Sequence, residues 1–251
     1  MLISQNMINI SFKMLNKIIS VGKDKEYIHN VDDASFFIRK DSSDAFVVYE
    51  VWKRKLYDID IKENDMVIDV GANIGAFTIL AAKNAINGNV FSFEPEKSNF
   101  KQLQKNVRLN KLKNVVVHNL GVNKSKGTAQ LFVSNNNEAG HSLCNSETNE
   151  TQTIHCMTLV DIFDKYNINN IDVLKLDIEG AEYDVLFSTP VKTLRKIDKI
   201  ILEFHDNIDL KYNYKELISF LENAGFKVTT LSPNWFIGIF GVGMLKAERI
   251  L

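Results

Sequence analysis

"VIDVGANIGAFT" spans Val67 to Thr78. Val67, Ile68 and Val70 form a short apolar run around Asp69, and Gly71 and Gly75 follow. Such a run reads as a buried strand, the glycines as a turn, and "AFTILAAKNA" as the helix after it. Strand, glycine turn and helix open a nucleotide-binding unit. The dinucleotide fingerprint needs three glycines spaced G-x-G-x-x-G so that the backbone can approach a pyrophosphate. The phosphate-cradling G-x-x-x-x-G-K-[ST] is absent as well. The turn here is G-A-N-I-G with Asp69 just ahead of it. An acid there repels a pyrophosphate and suits a ligand with an ammonium group.

Downstream of the turn, strand and helix patterns alternate from Met66 to Gly225. "NVFSFEP", "NVVVHNLGV", "IDVLKLDIEG" and "IDKIILEFH" read as strands, and "TAQLFV" and "TQTIHCMTL" as strands around the polar loop Ser134 to Glu150. "KSNFKQLQKNVRLN", "LVDIFDKYN", "AEYDVLF" and "NYKELISFLENAG" read as helices, the last with Gly225 as its C-cap. "FKVTTLS" and "WFIGIFGVGMLKA" read as a closing antiparallel hairpin. This alternation predicts an α/β fold with a parallel sheet covered on both faces, whose ligands sit at the carboxyl ends of the strands. The unusual polar residues fall there: Asp69 to Gly75, Glu94, Asn119, Asp177 with Glu179, and Glu203 with His205.

Ahead of the sheet, residues 1 to 24 read as a helix too polar to span a bilayer, packing or extending, with weak membrane-surface docking as the alternative. "SFFIRK" and "AFVVYEVW" read as two strands around Asp41 to Asp44. The division expected is an extension, residues 1–64, packed on a domain of residues 65–251. Net charge is −1 with no basic arm, which argues against gripping a nucleic-acid backbone. Cys144 and Cys156 show no zinc spacing, and a reducing cytoplasm is the expected compartment. Oligomeric state is not legible.

Glu94 ends the second strand, 25 positions after Asp69. A carboxylate there can accept both hydroxyls of a ribose. A ribose and an amino-acid ammonium without phosphate describe S-adenosylmethionine.

Together "VIDVGANIGAFT", "FSFEPEKSNFKQLQKNVRLN", "TLVDIF", "IDVLKLDIEGAEYDVL" and "IILEFH" resemble the FkbM-type methyltransferases, from about Ser35 to His205, with "DIEGAE" the most specific piece. The resemblance implies a doubly wound, mostly parallel, seven-stranded class I methyltransferase sheet that uses S-adenosylmethionine. Its members typically methylate hydroxyls of sugars or natural products. Carried over by position, Asp69, Gly71, Ala72, Asn73 and Gly75 would line the methionine part of the cofactor. Glu94 would hold the ribose, Asn119, Leu120 and Gly121 would lie near the adenine, and Asp177 would sit beside the reacting methyl.

A hydroxyl acceptor must be aligned with the methyl group and lose its proton. His205 is the first candidate for the base, with Glu203 two residues before it on the same side of the strand. Asp177 and Glu179 would orient cofactor and substrate. With Glu203 and His205 they also make a donor set open to a divalent cation, although no metal is assigned. Glu182 is read as a helix N-terminal acid. His141 and Ser142 fall in a loop that can cover the site or stand as a surface hairpin. Trp52 and Tyr57 can stack on a sugar or pack in the core, and His118 reads as a packed or rim histidine. Two other functions compete: methyl transfer to a nucleic acid or protein, and a non-catalytic domain that binds the cofactor and a partner.

Overall fold

The computed structural model of the chain describes residues 25–132, 151–206 and 212–250. The expected helix over residues 1–24 and the loop with His141 and Ser142 lie outside them. β1 (Glu26–Val31) and β2 (Ala34–Arg39) pair antiparallel, and α1 (Asp44–Trp52) follows. The expected partners are therefore wrong: "AFVVYEVW" is helical, and the partner of β2 precedes it. Val48, Val51 and Trp52 are the buried apolar residues of α1, an i, i+3, i+4 set that a strand cannot bury on one face.

Next come β3 (Met66–Val70), α2 (Ala76–Asn84), β4 (Asn89–Phe93), α3 (Lys97–Leu109) and β5 (Val115–His118). The short β6 (Gly121–Val122), β7 (Gly127–Phe132) and β8 (Thr151–Met157) form a separate three-stranded sheet in the order β6-β8-β7. The one strand expected over "NVVVHNLGV" is thus split at Asn119, where the chain changes sheets. Then follow α4 (Leu159–Tyr166), β9 (Ile171–Leu176), α5 (Glu182–Ser188), α6 (Val191–Leu194), β10 (Ile197–His205), α7 (Tyr214–Ala224), β11 (Phe226–Thr230), α8 (Asn234–Phe240) and β12 (Val242–Arg249). The main sheet has seven strands in the order β11-β12-β10-β9-β3-β4-β5. Only β12 runs antiparallel to its neighbours. β11 and β12 pair as expected, but α8 replaces the start of the second predicted strand. Pro233 opens that helix and Gly241, left-handed at φ 64°, closes it.

The period of two along the central strands divides the core between the faces of the sheet. Ile68, Val70, Leu174, Leu176, Leu202 and Phe204 belong to one apolar cluster, and Val67, Val90, Val173 and Ile201 to the other. The helices carry matching terminators. Asn213 and Glu216 form a capping box at the start of α7, and Gly225 ends it at φ 99°.

The β1–β2 hairpin meets α3 through polar groups. Asn106 Oδ1 accepts from the Phe37 amide at 2.7 Å, and Gln102 Nε2 donates to the Phe37 carbonyl at 2.6 Å. Asn110 exchanges both bonds with Ser35, at 3.0 and 2.7 Å. The spacing explains the match: four helical residues rise about 6 Å and two strand residues about 6.7 Å. Side chains at 106 and 110 therefore keep step with Phe37 and Ser35 on the outer edge of β2, Gln102 adds a bond to the Phe37 carbonyl, and together they satisfy groups an edge strand leaves open. Asn106, fully buried, also donates to the Ile74 carbonyl at 2.9 Å, which ties the hairpin to the glycine turn.

His118 packs between Phe91 and Phe93 and against Tyr166, whose hydroxyl lies 2.9 Å from Nε2. Burial, helped by Lys165, lowers its imidazole from 6.5 to about 4. The folded chain then binds fewer protons than the unfolded chain between those values, so stability falls as pH drops through that window. His118→Phe keeps the ring packing and removes this titration. Denaturant melts at a series of pH values should show the variant losing less stability than the parent on acidification from 6.5 to about 4. Asn106→Ala strands the Phe37 amide and the Ile74 carbonyl and should cost roughly 3 kcal/mol in chemical denaturation; a loss under about 1 kcal/mol would refute the amide ladder as a stabilising contact.

Candidate active site

The parallel register brings the predicted residues into one row. Phe93 pairs with His118, Val70 with both Phe93 and Leu176, and Leu176 with Leu202. One step further along each strand come Asn119, Glu94, Gly71, Asp177 and Glu203. They cross the carboxyl edge of the sheet in that order.

Gly71 needs its missing side chain. Its φ is 76°, and a Cβ would stand 1.7 Å from the Asp177 carbonyl oxygen. The Gly71 and Ala72 amides donate to the Phe93 carbonyl at 3.0 and 3.1 Å, and the Asp177 amide to the Val70 carbonyl at 3.1 Å. The turn is therefore clamped between β4 and the end of β9. Asn73 is also left-handed, at φ 50°, and its amide donates to Glu94 Oε2 at 2.7 Å. The other Glu94 oxygen accepts from the Glu96 amide at 2.9 Å, and burial pushes this carboxyl up to about 7. Gly75 starts α2 with φ 92°. Asn119 Nδ2 donates to the Glu94 and Pro95 carbonyls, both at 2.9 Å. Leu120 packs on the core, and Gly121 leaves room for Ile154 and Cys156 of β8.

Behind this row lies a second one, Ser92, Asp69 and Lys175, also register neighbours. Asp69 is fully buried and accepts from Thr78 Oγ1 at 2.6 Å. Its other oxygen faces Lys175 Nζ at 3.2 Å. Lys175 also donates to the Gly71 carbonyl at 2.7 Å, lies 3.8 Å from Asp177 and stands 5.2 Å over the Tyr57 ring. Burial disfavours the ammonium, but Asp69 and Asp177 hold its pKa above the ordinary lysine value. The ammonium that Asp69 meets in the structure is thus the chain's own. Sequence reasoning missed Lys175 although the signal was present: a lysine inside an apolar strand buried on both faces needs a partner.

At the other end of the row, Asp177 Oδ2 accepts from the Tyr57 hydroxyl at 2.7 Å. Tyr57 is buried against Phe77, so its use is packing and the bond to Asp177. Trp52 is likewise buried, its indole donating to the Ala76 carbonyl at 3.1 Å. Glu179 is left-handed at φ 52° and precedes Gly180 at φ 103°. Glu182, fully buried, folds back so that its two oxygens accept from the Ile178 and Gly180 amides, each at 2.9 Å. It sets the turn after β9 as well as standing in the first turn of α5. His205 lies between two of these acids, with Nε2 3.2 Å from Glu179 and Nδ1 3.3 Å from Glu182.

Charge crowding governs this end. Burial lifts Glu203 to about 8, with Asp177 adding to the effect. Burial likewise lifts Glu179 to about 7. Burial alone would lower His205, but Glu182, Glu179 and Glu203 raise it to about 10. At neutral pH the resting His205 is a cation, which is not the protonation state a general base needs. Glu50 of α1 joins the cluster: burial pushes it to about 7 despite Arg54, and Asp177 adds to the rise. Reading its segment as a strand concealed it.

No helix among the described residues is long and apolar enough to cross a membrane. The Methyltransferase FkbM domain profile matches residues 69–228, more than half of the chain. Methyltransferase 1 of Beauveria bassiana is 26% identical over 226 residues, covering 81% of this chain and 89% of that protein. The hexuronic acid methyltransferase AglP of Haloferax volcanii is 27% identical over 152 residues, covering 61% of each chain. Among solved structures, the methyltransferase FkbM of Methylobacillus flagellatus KT matches with a TM-score of 0.51 at 16% identity, over 80% of this chain and 48% of that one. This last likeness is one of fold, and the chain spans about half the length of that protein. With its profile match starting at Asp69, in the strand that leads into the glycine turn, and reaching β11, the chain belongs to the FkbM methyltransferase domain family and is a methyltransferase.

Proposed function

We propose that the chain transfers the methyl group of S-adenosylmethionine to a hydroxyl oxygen of a sugar, glycan or natural product. The observation that carries this reading is the single register row, which sets a glycine turn without the dinucleotide spacing, and Glu94, beside the half-buried acids Asp177 and Glu203. In the proposed complex Gly71, Ala72, Asn73 and Gly75 bound the methionine part, Glu94 the ribose, and Asn119, Leu120 and Gly121 the adenine. Asp69 acts through Lys175, which holds the Gly71 carbonyl. Asp177 stands between this cofactor side and the acids of β10. Residues 65–251 form the transfer domain, with residues 1–64 as an extension on it. The hexuronic acid methyltransferase of Haloferax volcanii supports a sugar-type acceptor.

In the transfer, the acceptor oxygen attacks the methyl carbon as the carbon–sulfur bond breaks. The bonding pair returns to sulfur, which leaves as a neutral thioether. The hydroxyl proton goes to a carboxylate. Glu179 suits that task by geometry: it is a third exposed, beside His205, and carried on a left-handed turn. Such strained backbone is found where a side chain must be aimed. His205 and Glu203 then position the acceptor.

Glu179→Gln should lower kcat by roughly 100-fold or more, the usual weight of a proton acceptor, on an acceptor identified by screening sugars with labelled cofactor. Cofactor affinity by calorimetry should stay within about 3-fold, since no cofactor contact is removed. Unchanged turnover would exclude Glu179 as the acceptor of the proton, and failure of the parent chain to bind S-adenosylmethionine would overturn the whole reading.

A further inference from the structure

We propose that Asp177, Glu203 and His205 hold one divalent cation of the Mn²⁺ kind, and that this ion binds hydroxyl oxygens of the acceptor. The second half rests on the O-methyl transfer reading, whereas the first does not. A carboxylate oxygen of Asp177, one of Glu203 and a ring nitrogen of His205 all lie within 4.8 Å of one another. Bonds from a divalent ion to oxygen or nitrogen are about 2.0–2.6 Å, so opposite ligands of one ion stand about 4–5 Å apart. Three donor atoms this close to one another can share one ion without a change of backbone.

The backbone explains the convergence. Leu176 and Leu202 are register partners, so Asp177 and Glu203 leave adjacent strands side by side. His205 is two residues beyond Glu203 on the same strand, hence on the same face.

A second observation concerns His205 itself. His205 is only 7% exposed, and its Nδ1 has no hydrogen-bond partner. An imidazole buried to this degree ordinarily satisfies its nitrogens. Nδ1 stands 3.3 Å from Glu182 Oε1, and Glu182 is fixed by the Ile178 and Gly180 amides. A small rotation of the ring makes Nδ1–H donate to Glu182, and at Nε2 the ion takes the place of the proton that faces Glu179 at 3.2 Å in the resting site. A carboxylate behind a ligating histidine is the usual orienting arrangement.

The donor set selects the ion. Two carboxylate oxygens suit Mg²⁺, Ca²⁺ or Mn²⁺, and an imidazole shifts preference toward transition ions. Mn²⁺ accepts both. Three protein ligands leave positions open, so an acceptor with two neighbouring oxygens, such as a vicinal diol, can chelate the ion. A bound hydroxyl is more acidic than a free one, and the ion offsets the charge of Asp177, Glu179 and Glu203.

The test is titration of the full chain with Mn²⁺, counting free ion by electron paramagnetic resonance. The expected result is one ion per chain, bound at least 10-fold more weakly by Asp177→Asn, Glu203→Gln and His205→Ala, with Glu222→Gln unchanged. Circular dichroism identifies any variant that fails to fold, and the remaining ones carry the comparison. No bound Mn²⁺, or equal binding by all variants, overturns the proposal. Calorimetry with S-adenosylmethionine in the presence of a chelator separates the two readings: cofactor binding without any Mn²⁺ binding sinks the metal site and leaves methyl transfer standing. Mn²⁺ binding without cofactor binding sustains the metal site and sinks methyl transfer.

Discussion

The ion pair between Asp69 and Lys175 is the constraint on which the site depends. The two residues are register neighbours at the centre of a sheet buried on both faces, and neither reaches solvent to any extent. Either charge alone in that position would cost several kcal/mol. Together they offset that cost: Thr78 donates to one oxygen of the acid, the other faces the ammonium at 3.2 Å, and the ammonium donates to the Gly71 carbonyl. The consequence is geometric. Lys175 of β9 grips the turn that leaves β3, and the turn has no Cβ at Gly71 to hold the strand end away. The glycine turn and the acidic end of the row are thereby fixed to each other by the chain itself, which is what preorganised sites require.

Everything outside this pair follows from the period of the sheet. Parallel strands in register place equivalent positions in rows, and the rows past the last hydrogen-bonded pair are where side chains are freed from packing. The chain fills one such row with Asn119, Glu94, Gly71, Asp177 and Glu203. It then backs the row with polar side chains that hold it. Glu182 sets the turn beneath Glu179 and His205, and Tyr57, ahead of β3, donates to Asp177. The β1–β2 hairpin is thus tied to the turn through Asn106, and the segment ahead of β3 to the acids through Tyr57.

The central sheet was legible because its strands are apolar and its turns carry glycine. "VIDVGANIGAFT" alone indicates strand, turn and helix, and the structure keeps all three. What escaped were features that depend on contacts distant in sequence. "AFVVYEVW" is rich in β-branched and aromatic residues and so suggests a strand, whereas in the fold it packs as a helix against α2 and β2. The strand Glu26–Val31 has too few apolar residues to announce itself. The strand-end acids were visible as a set, but their protonation was not. A histidine at a strand end reads as a base, yet three acids from a helix, a turn and its own strand raise its pKa to about 10. Such crowding is a property of the folded arrangement. Lys175 lies between these cases: its presence in an apolar strand was a signal, and its partner Asp69 could be named only from the register.

The central claim is that Asp69 and Lys175 act as one unit, and a double-mutant cycle measures it most directly. Stability would be determined by chemical denaturation for the parent chain, Asp69→Asn, Lys175→Met and the double variant. Each single change removes the nearest countercharge from a buried group and should cost about 3–5 kcal/mol. The double variant should cost less than the sum of the two by at least about 1.5 kcal/mol, the mark of a direct interaction. Additive losses would contradict the account, because they would mean that each residue is held by something other than its partner.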